Sequence, residues 1–426
     1  MTSIERPLVY KVPKNWNVHT VNEIRSMDAH SCVAGPFGSK ISSKFFVDDG
    51  VPVIRGSNLR DDLTRFVPEN FVFLSETKAQ EFRPQLVKGG DLIFTCWGTI
   101  GQVGLIPENG PYPEYIISNK QLKLRVNQKI ASPLFCFYYF ASPLYVEHVR
   151  NRNIGGAVPG INLGILKSFR IALPPIKVQD GLIEILGSYD DLIENNRRRM
   201  ALLEDAARQM YQEWFVRLRF PGCEHARIVD GVPDGWKKGM VSDFYETSSG
   251  GTPSRKRPEY FTGEIPWVKT QELHDGFIID TDEKITEAAL KNSSAKLFSD
   301  KTILVALYGA TIGKIGILAV PATTNQACCA IIPTDKSSHY IHAFLFFREN
   351  KERLVSLSAG AAQNNISQQI IRGFEMIVPK PSLMKSFTES LEPVFEQWLI
   401  LHRQNHKLRT ARDLLLPKLM SGELTV

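Results

Sequence analysis

Val12-Pro13-Lys14-Asn15-Trp16 returns later in the chain as Val232-Pro233-Asp234-Gly235-Trp236. In the same order, Thr99-Ile100-Gly101-Gln102-Val103-Gly104 returns as Thr311-Ile312-Gly313-Lys314-Ile315-Gly316, and Phe169–Pro174 (FRIALP) as Phe374–Pro379 (FEMIVP). The offset between copies shrinks along the chain, so the second copy has lost a few loop residues. Two copies are too few for a solenoid, which needs at least three stacked units. The sequence therefore describes two similar domains, each followed by a similar helix. Two equivalent heads suit a target with two separated parts.

Working outward, the first globular unit runs from about Val12 to Pro174. Short β-branched and aromatic runs alternate with Gly, Pro and Asn turns: Val51-Pro52-Val53-Ile54, Asp91-Leu92-Ile93-Phe94 and Gln121-Leu122-Lys123-Leu124. These are the signals of strands in a mixed sheet. Pro133–His148 is helical in pattern and interrupted by Pro143. The second unit, from about Val232 to Pro379, repeats the order with Ile265-Pro266-Trp267-Val268, Ile303-Leu304-Val305-Ala306 and Cys329-Ala330-Ile331-Ile332. The expected fold class is α/β (α+β): two mixed-sheet domains and two long antiparallel coiled-coil helices. The expected boundaries are 1–174, 175–219 for the first helix, 220–379, and 380–426 for the second helix and tail.

Leu173-Pro174-Pro175 stops the first unit, since the residue before a proline is pushed out of helical geometry. Beyond it an apolar seam runs through Leu182, Leu186, Tyr189, Ile193, Asn196, Met200, Leu203, Ala207, Met210 and Trp214. Alternating steps of four and three give the coiled-coil period. At about 1.5 Å per residue this predicts a rod about 50 Å long, ended by Phe220-Pro221-Gly222. A second seam follows Phe387, Leu391, Val394, Trp398, Leu401, Asn405, Leu408, Arg412, Leu415 and Leu419. Pro393 is expected to kink or restart this helix and Pro417 to fray its end. One antiparallel register sets Asn196 against Asn405, Leu203 against Trp398, Met200 against Leu401, Ile193 against Leu408, and Arg412 over Tyr189. The asparagine pair is the expected register device, because a slip buries an unpaired amide at about 1–3 kcal/mol.

Composition removes several function classes. The chain has 426 residues, 43% hydrophobic and 23% charged, with a net charge of +6, which is compatible with nucleic acid. Its six cysteines show neither a C-x-x-C pair nor histidines at zinc spacing, so they read as thiols in a reducing cytoplasm and no metal is expected. No apolar signal core opens the chain, and no run reaches a membrane span of roughly 18 residues. A P-loop, a G-x-G-x-x-G turn, H-E-x-x-H and G-x-S-x-G are all missing, and Leu173-Pro174-Pro175-Ile176 lacks the amide or carboxylate of an amino-methyltransferase. The residues argue against catalysis by this chain.

Base reading needs donors and amides on loops, with backbone N–H groups able to reach phosphate. Such segments occur twice at matching places. In the first copy they supply Ser39, Lys40, Arg55, Ser57, Asn58, Thr99, Asn119 and Lys120. In the second they supply Thr252, Ser254, Arg255, Lys269, Thr270, Gln271, Thr311, Asn325 and Gln326. Thr99 and Thr311 sit in Gly-rich loops that serve equally as tight turns or DNA contacts. Trp97 is read as core rather than base-stacking, and Trp16 and Trp236 as core. Arg197-Arg198-Arg199 reads as a solvated helix face or, alternatively, a phosphate contact. Leu192, Met210, Tyr211, Trp214 and Phe215 are candidates for a subunit interface, with core packing the equal alternative.

These elements together resemble the specificity subunits of type I restriction-modification systems over essentially the whole chain. The carrying marks are the paired V-P-x-x-W starts, the T-I-G-x-[VI]-G segments and the strand-Pro exits before each helix. Gln209-Met210-Tyr211-Gln212-Glu213-Trp214-Phe215 and Leu415–Leu424 close the two helices. The first helix differs in carrying Asp190-Asp191 where the second has Phe395-Glu396. The resemblance implies double-stranded DNA as a partner, together with two methyltransferase subunits and restriction/translocase subunits. S-adenosylmethionine, ATP and Mg would then sit on those partners and no cofactor on this chain. The rigid spacer between the heads predicts a bipartite target with an unread gap, asymmetric because the copies differ at their loops, with Lys40 against Arg255 and Arg55 against Lys269. Two other readings stay open: a DNA reader for methylation alone or phage defence, and a protein-binding scaffold.

Overall fold

The computed structural model describes residues 8–152, 158–334, 338–357 and 365–424. The chain divides into two compact units, Met1–Asp191 with Leu408–Val426, and Leu192–Lys407. Each unit thus contains one sheet domain and parts of both long helices.

In the first unit the FRIALP segment becomes the strand Arg170–Leu173, paired antiparallel with Asn17–Thr20 just after Trp16. A four-stranded antiparallel sheet runs in the order Cys32–Ala34, Gln121–Leu124, Leu92–Thr95, Val103–Leu105. A five-stranded sheet has Val51–Ile54 parallel to Tyr115–Ile117 at its centre. Pro133–Ala141 packs in the core with Phe135, Phe137, Tyr138, Tyr139 and Phe140 all fully buried. Helix Pro143–Arg150 follows after Ser142, the interruption that Pro143 predicts.

The second unit repeats these elements. The FEMIVP segment forms Glu375–Val378, antiparallel to Lys237–Met240 just after Trp236. A sheet built on Tyr245–Ser249, Cys328–Pro333, Ile303–Ala306 and Ile315–Leu318 corresponds to the four-stranded sheet, with Gly276–Ile278 added parallel at its edge. Ile265–Val268 runs parallel to Ala322–Thr324. Tyr340–Glu349 is the buried helix. Trp16 and Trp236 are both buried.

The first long helix spans Ile176–Tyr211 and continues as a π-helical turn, Gln212–Val216. The second spans Pro381–Met420 without interruption. The expected break at Pro393 and fray at Pro417 are therefore corrected: Pro393 is exposed and the helix carries both prolines. Within the second unit Asn196 Nδ2 donates to Asn405 Oδ1 at 3.0 Å, and Asn405 Nδ2 donates to the Ile193 carbonyl at 3.3 Å. Trp214 meets Phe387 with ring centroids 5.4 Å apart. Rising numbers on one helix meet falling numbers on the other, so these segments run antiparallel. Within the first unit Arg412, expected over Tyr189, donates to Asp190 (2.7 Å).

Candidate nucleic-acid interface

Strand pairing decides where the candidate loops go. In the first unit Gly35 N–H donates to the Gln121 carbonyl (2.8 Å), Cys96 N–H to the Lys120 carbonyl (2.8 Å) and Ser118 N–H to the Ile54 carbonyl (3.2 Å). The four loops that begin at Gly35, Arg55, Trp97 and Ser118 therefore leave the sheets at one place. The second unit repeats the arrangement: Gly251 N–H donates to the Thr324 carbonyl (2.9 Å), Leu307 N–H to the Ala327 carbonyl (2.8 Å) and Asn325 N–H to the Val268 carbonyl (3.0 Å). Both gatherings need glycine at the root. A Cβ on Gly35 would lie 1.8 Å from the Ser118 oxygen, and one on Gly250 2.1 Å from the Thr324 oxygen.

Lys40, Arg55, Ser57, Thr99, Asn119 and Lys120 are exposed in this gathering. Ser39 lies in the turn Gly38–Lys40, and its side chain falls outside the described residues. Arg55 Nη2 donates to the Asn70 carbonyl (2.7 Å), and the Thr99 hydroxyl donates to Gln102 Oε1 (2.7 Å). Asn58 is a correction. It is completely buried, its amide donates to the Val67 and Glu69 carbonyls at 3.0 and 2.8 Å, and its oxygen accepts from Arg55 N–H. Its hydrogen-bonding groups are engaged in tying the loop together, leaving none for a base.

In the second unit Thr252, Ser254, Arg255, Gln271 and Gln326 are exposed, whereas Lys269, Thr270, Thr311 and Asn325 are half-buried. Thr252 Oγ1 donates to Gln326 Oε1 (2.5 Å) across the gathering. Arg255 and Lys269 converge on Glu283, a residue the sequence reading missed. Arg255 Nη1 and Nη2 donate to its two oxygens at 2.5 and 3.2 Å, and Lys269 Nζ donates at 2.9 Å. The Arg255 hydrogen bonds, with help from Lys269, hold the Glu283 carboxyl down at about 2, so it is ionised at neutral pH. Its run, Thr281-Asp282-Glu283-Lys284, looks like any charged surface turn, and only strand pairing brings it to Arg255.

The Gly-rich loops are tight turns in both copies: Gly98 and Gly101, like Gly309 and Gly313, have positive φ. Trp97 is a second correction. It is 43% exposed, and its counterpart Tyr308 is 38% exposed. One side of the Trp97 ring lies against Gly160, whose missing Cβ leaves the room. The interface candidates are corrected in part. Tyr211 and Trp214 are buried, Phe215 packs on Trp236, His342 and Phe387, and Met210 lies against the same core. Leu192 alone of the five is exposed, at 51%. Glu194 pairs with Arg197 and Arg198 on the helix surface.

Thiol chemistry has no foothold in the core. Burial pushes Cys96 up to about 11 and Cys329 to about 12, so both stay protonated. Among the described residues no group of His, Cys, Asp and Glu could hold a metal. Among the described residues no helix is long and apolar enough to cross a membrane.

Residues 13–205 and 233–409 match the family described as the type I restriction modification DNA specificity domain, once in each copy of the repeat. The chain belongs to that family. The type I specificity family reads DNA targets for restriction-modification complexes and leaves catalysis to other subunits. Among specificity relatives, the type I restriction enzyme MjaIX specificity subunit of Methanocaldococcus jannaschii is 23% identical, covering 100% of this chain and 97% of the relative. The HindI specificity subunit of Haemophilus influenzae is 25% identical, covering 79% and 87%. The crystal structure of a type I restriction-modification S subunit from M. genitalium superposes with a TM-score of 0.58 at 14% identity, covering 97% of this chain and 99% of the other. That superposition supports the specificity-subunit fold.

Proposed function

We propose that this chain reads an asymmetric, two-part DNA target, one part with each unit, leaving a gap of several base pairs unread. The supporting observation is the double gathering of loops. The same four loops meet in each unit on the same hydrogen-bonded frame, but carry different side chains: Lys40, Arg55 and Lys120 in one, Arg255, Lys269 and Gln326 in the other. Equal frames imply equal docking; unequal side chains imply unequal half-sites. Phosphate contacts would position each unit and base-edge contacts would specify. The length of the long helices would set the gap, because both half-sites must face one side of a duplex whose turn is about 34–36 Å.

The chain would recruit two methyltransferase subunits carrying S-adenosylmethionine, and restriction subunits carrying ATP and Mg. Outward-facing leucines on the first long helix, Leu192 and Leu202, are exposed and suit such docking. Sequencing the methylated sites of the host genome tests the proposal. Two short conserved blocks at a constant spacing are expected, and a single continuous site would overturn it. Inserting one helical turn into the first long helix should widen the spacing, and an unchanged gap would refute the helices as the ruler.

A further inference from the structure

We propose that Arg255 is a guanine-reading side chain of the second unit and that Glu283 is its positioning residue, so that the pair fixes one G·C base pair of that half-site. This rests on the reading of the second unit as a DNA reader.

Arg255 is the outward member of the cluster. Its side chain is 54% exposed, against 28% for Glu283 and 19% for Lys269. It is nonetheless held from several directions. Its guanidinium lies 4.1 Å from the Phe261 ring centroid and 5.0 Å from that of Trp267, and its two terminal nitrogens grip Glu283. The supports are themselves fixed. Trp267 Nε1 donates to the Gly251 carbonyl (3.1 Å), and Trp267 N–H to the Glu283 carbonyl (3.1 Å). Arg257 N–H donates to the Ser254 carbonyl (3.0 Å), and Arg257 Nη1 to the Tyr260 hydroxyl (2.7 Å). The loop bearing Arg255 is thus built around it.

A guanidinium has five N–H donors. Glu283 engages one on each terminal nitrogen, which leaves Nε–H and the outer N–H groups for a partner. Guanine offers two acceptors, O6 and N7, on its major-groove edge. A long, freely rotating arginine loses much rotamer entropy on binding; one already stacked and paired loses less. The Glu283 charge also opposes phosphate, so a misplaced docking of Arg255 on the backbone is disfavoured. Lys269, the third member, balances that charge from beneath.

The test uses the full chain with its methyltransferase partner, on duplexes carrying the target identified by methylation sequencing and on the set of its single base-pair substitutions, at two salt concentrations. Arg255→Ala should weaken cognate binding about tenfold or more and abolish discrimination at one G·C pair of one half-site. Arg255→Lys should lose most of that discrimination, since a flexible ammonium has no planar fork to lie over Phe261 and Trp267 and be held by Glu283 at two points. Glu283→Gln should lose discrimination at that same pair while binding to non-specific duplex is kept or strengthened. Melting temperatures of the variants control for folding. An Arg255→Ala variant that weakens all duplexes equally makes Arg255 a phosphate contact and overturns the proposal. A Glu283→Gln variant that strengthens cognate and substituted duplexes equally makes Glu283 only a charge counterweight and overturns it too. A wild-type complex that discriminates no duplex would sink the parent reading, and this one with it.

Discussion

Asn196 and Asn405 were legible from sequence because each is an amide in a mainly apolar seam and one antiparallel register sets the two opposite each other. Their side chains are buried and bonded to each other, so removing Asn196 leaves the Asn405 Oδ1 without its donor, while Asn405 Nδ2 keeps the Ile193 carbonyl. Asn196→Ala should cost about 1–3 kcal/mol in urea melts. Replacing both by leucine should recover that loss, since removing both partners of a buried pair is close to neutral. His342 is a residue the pattern could not weight: it sits on a helix face like its neighbours, but burial depresses it to about 3. Its folded value lies below the unfolded value of about 6.5. As pH falls from 6.5, the unfolded chain takes up a proton that the folded chain refuses, so stability drops by about 1.4 kcal/mol per pH unit until pH approaches 3. His342→Gln should remove that acid slope. The check is the difference between wild-type and variant stability from pH 7 to pH 4; a constant difference would refute the assignment. Asn58 and Trp97 show where residue-level reading stops. The burial of one depends on Val67 and Glu69 folding back over it. The ring of the other is covered on one side by a glycine far along the chain.

At the scale of elements, hydrophobic period and proline punctuation made the strands and both helices readable, while Pro393 misled. A proline removes one hydrogen bond and crowds one carbonyl, which a helix packed along its other faces can absorb. Pairwise chemistry between elements was much less visible. In the first unit Asp190 on the first long helix accepts from Arg412 on the second (2.7 Å), from the Tyr138 hydroxyl (2.6 Å) and from Arg65 Nε (3.2 Å). In the second unit the matching place holds Phe277, Phe344 and Phe395, with Phe395 ring centroids 6.3 Å and 5.8 Å from the other two. One unit seats its helix by charge, the other by aromatic packing. Asp190→Ala takes from buried Arg412 its buried carboxylate, leaving it the half-exposed Asp413 and the Asp62 carbonyl, and should cost about 3 kcal/mol. Adding Arg412→Met should restore much of it. Phe395→Ala should cost a similar about 3–5 kcal/mol with no second-site charge to relieve it. Chemical denaturation of the three variants separates the cases.

For the whole molecule, the duplication was the most legible property, because three separated motifs recur in one order. What the duplicated loops recognise was not, since recognition depends on side chains whose neighbours come from distant strands, as Glu283 does for Arg255. Exchanging residues 1–170 for the equivalent domain of another family member should change one half of the methylated target and leave the other half intact. A change in both halves would contradict modular reading. The glycine roots carry a consequence for how new targets arise. Gly35 and Gly250 press backbone on backbone with no room for a methyl group, so the base of each loop resists alteration while its tip stays open to substitution. A lineage can therefore rewrite its address letter by letter, by point changes at positions such as Lys40 or Arg255, without disturbing the frame that presents the letters.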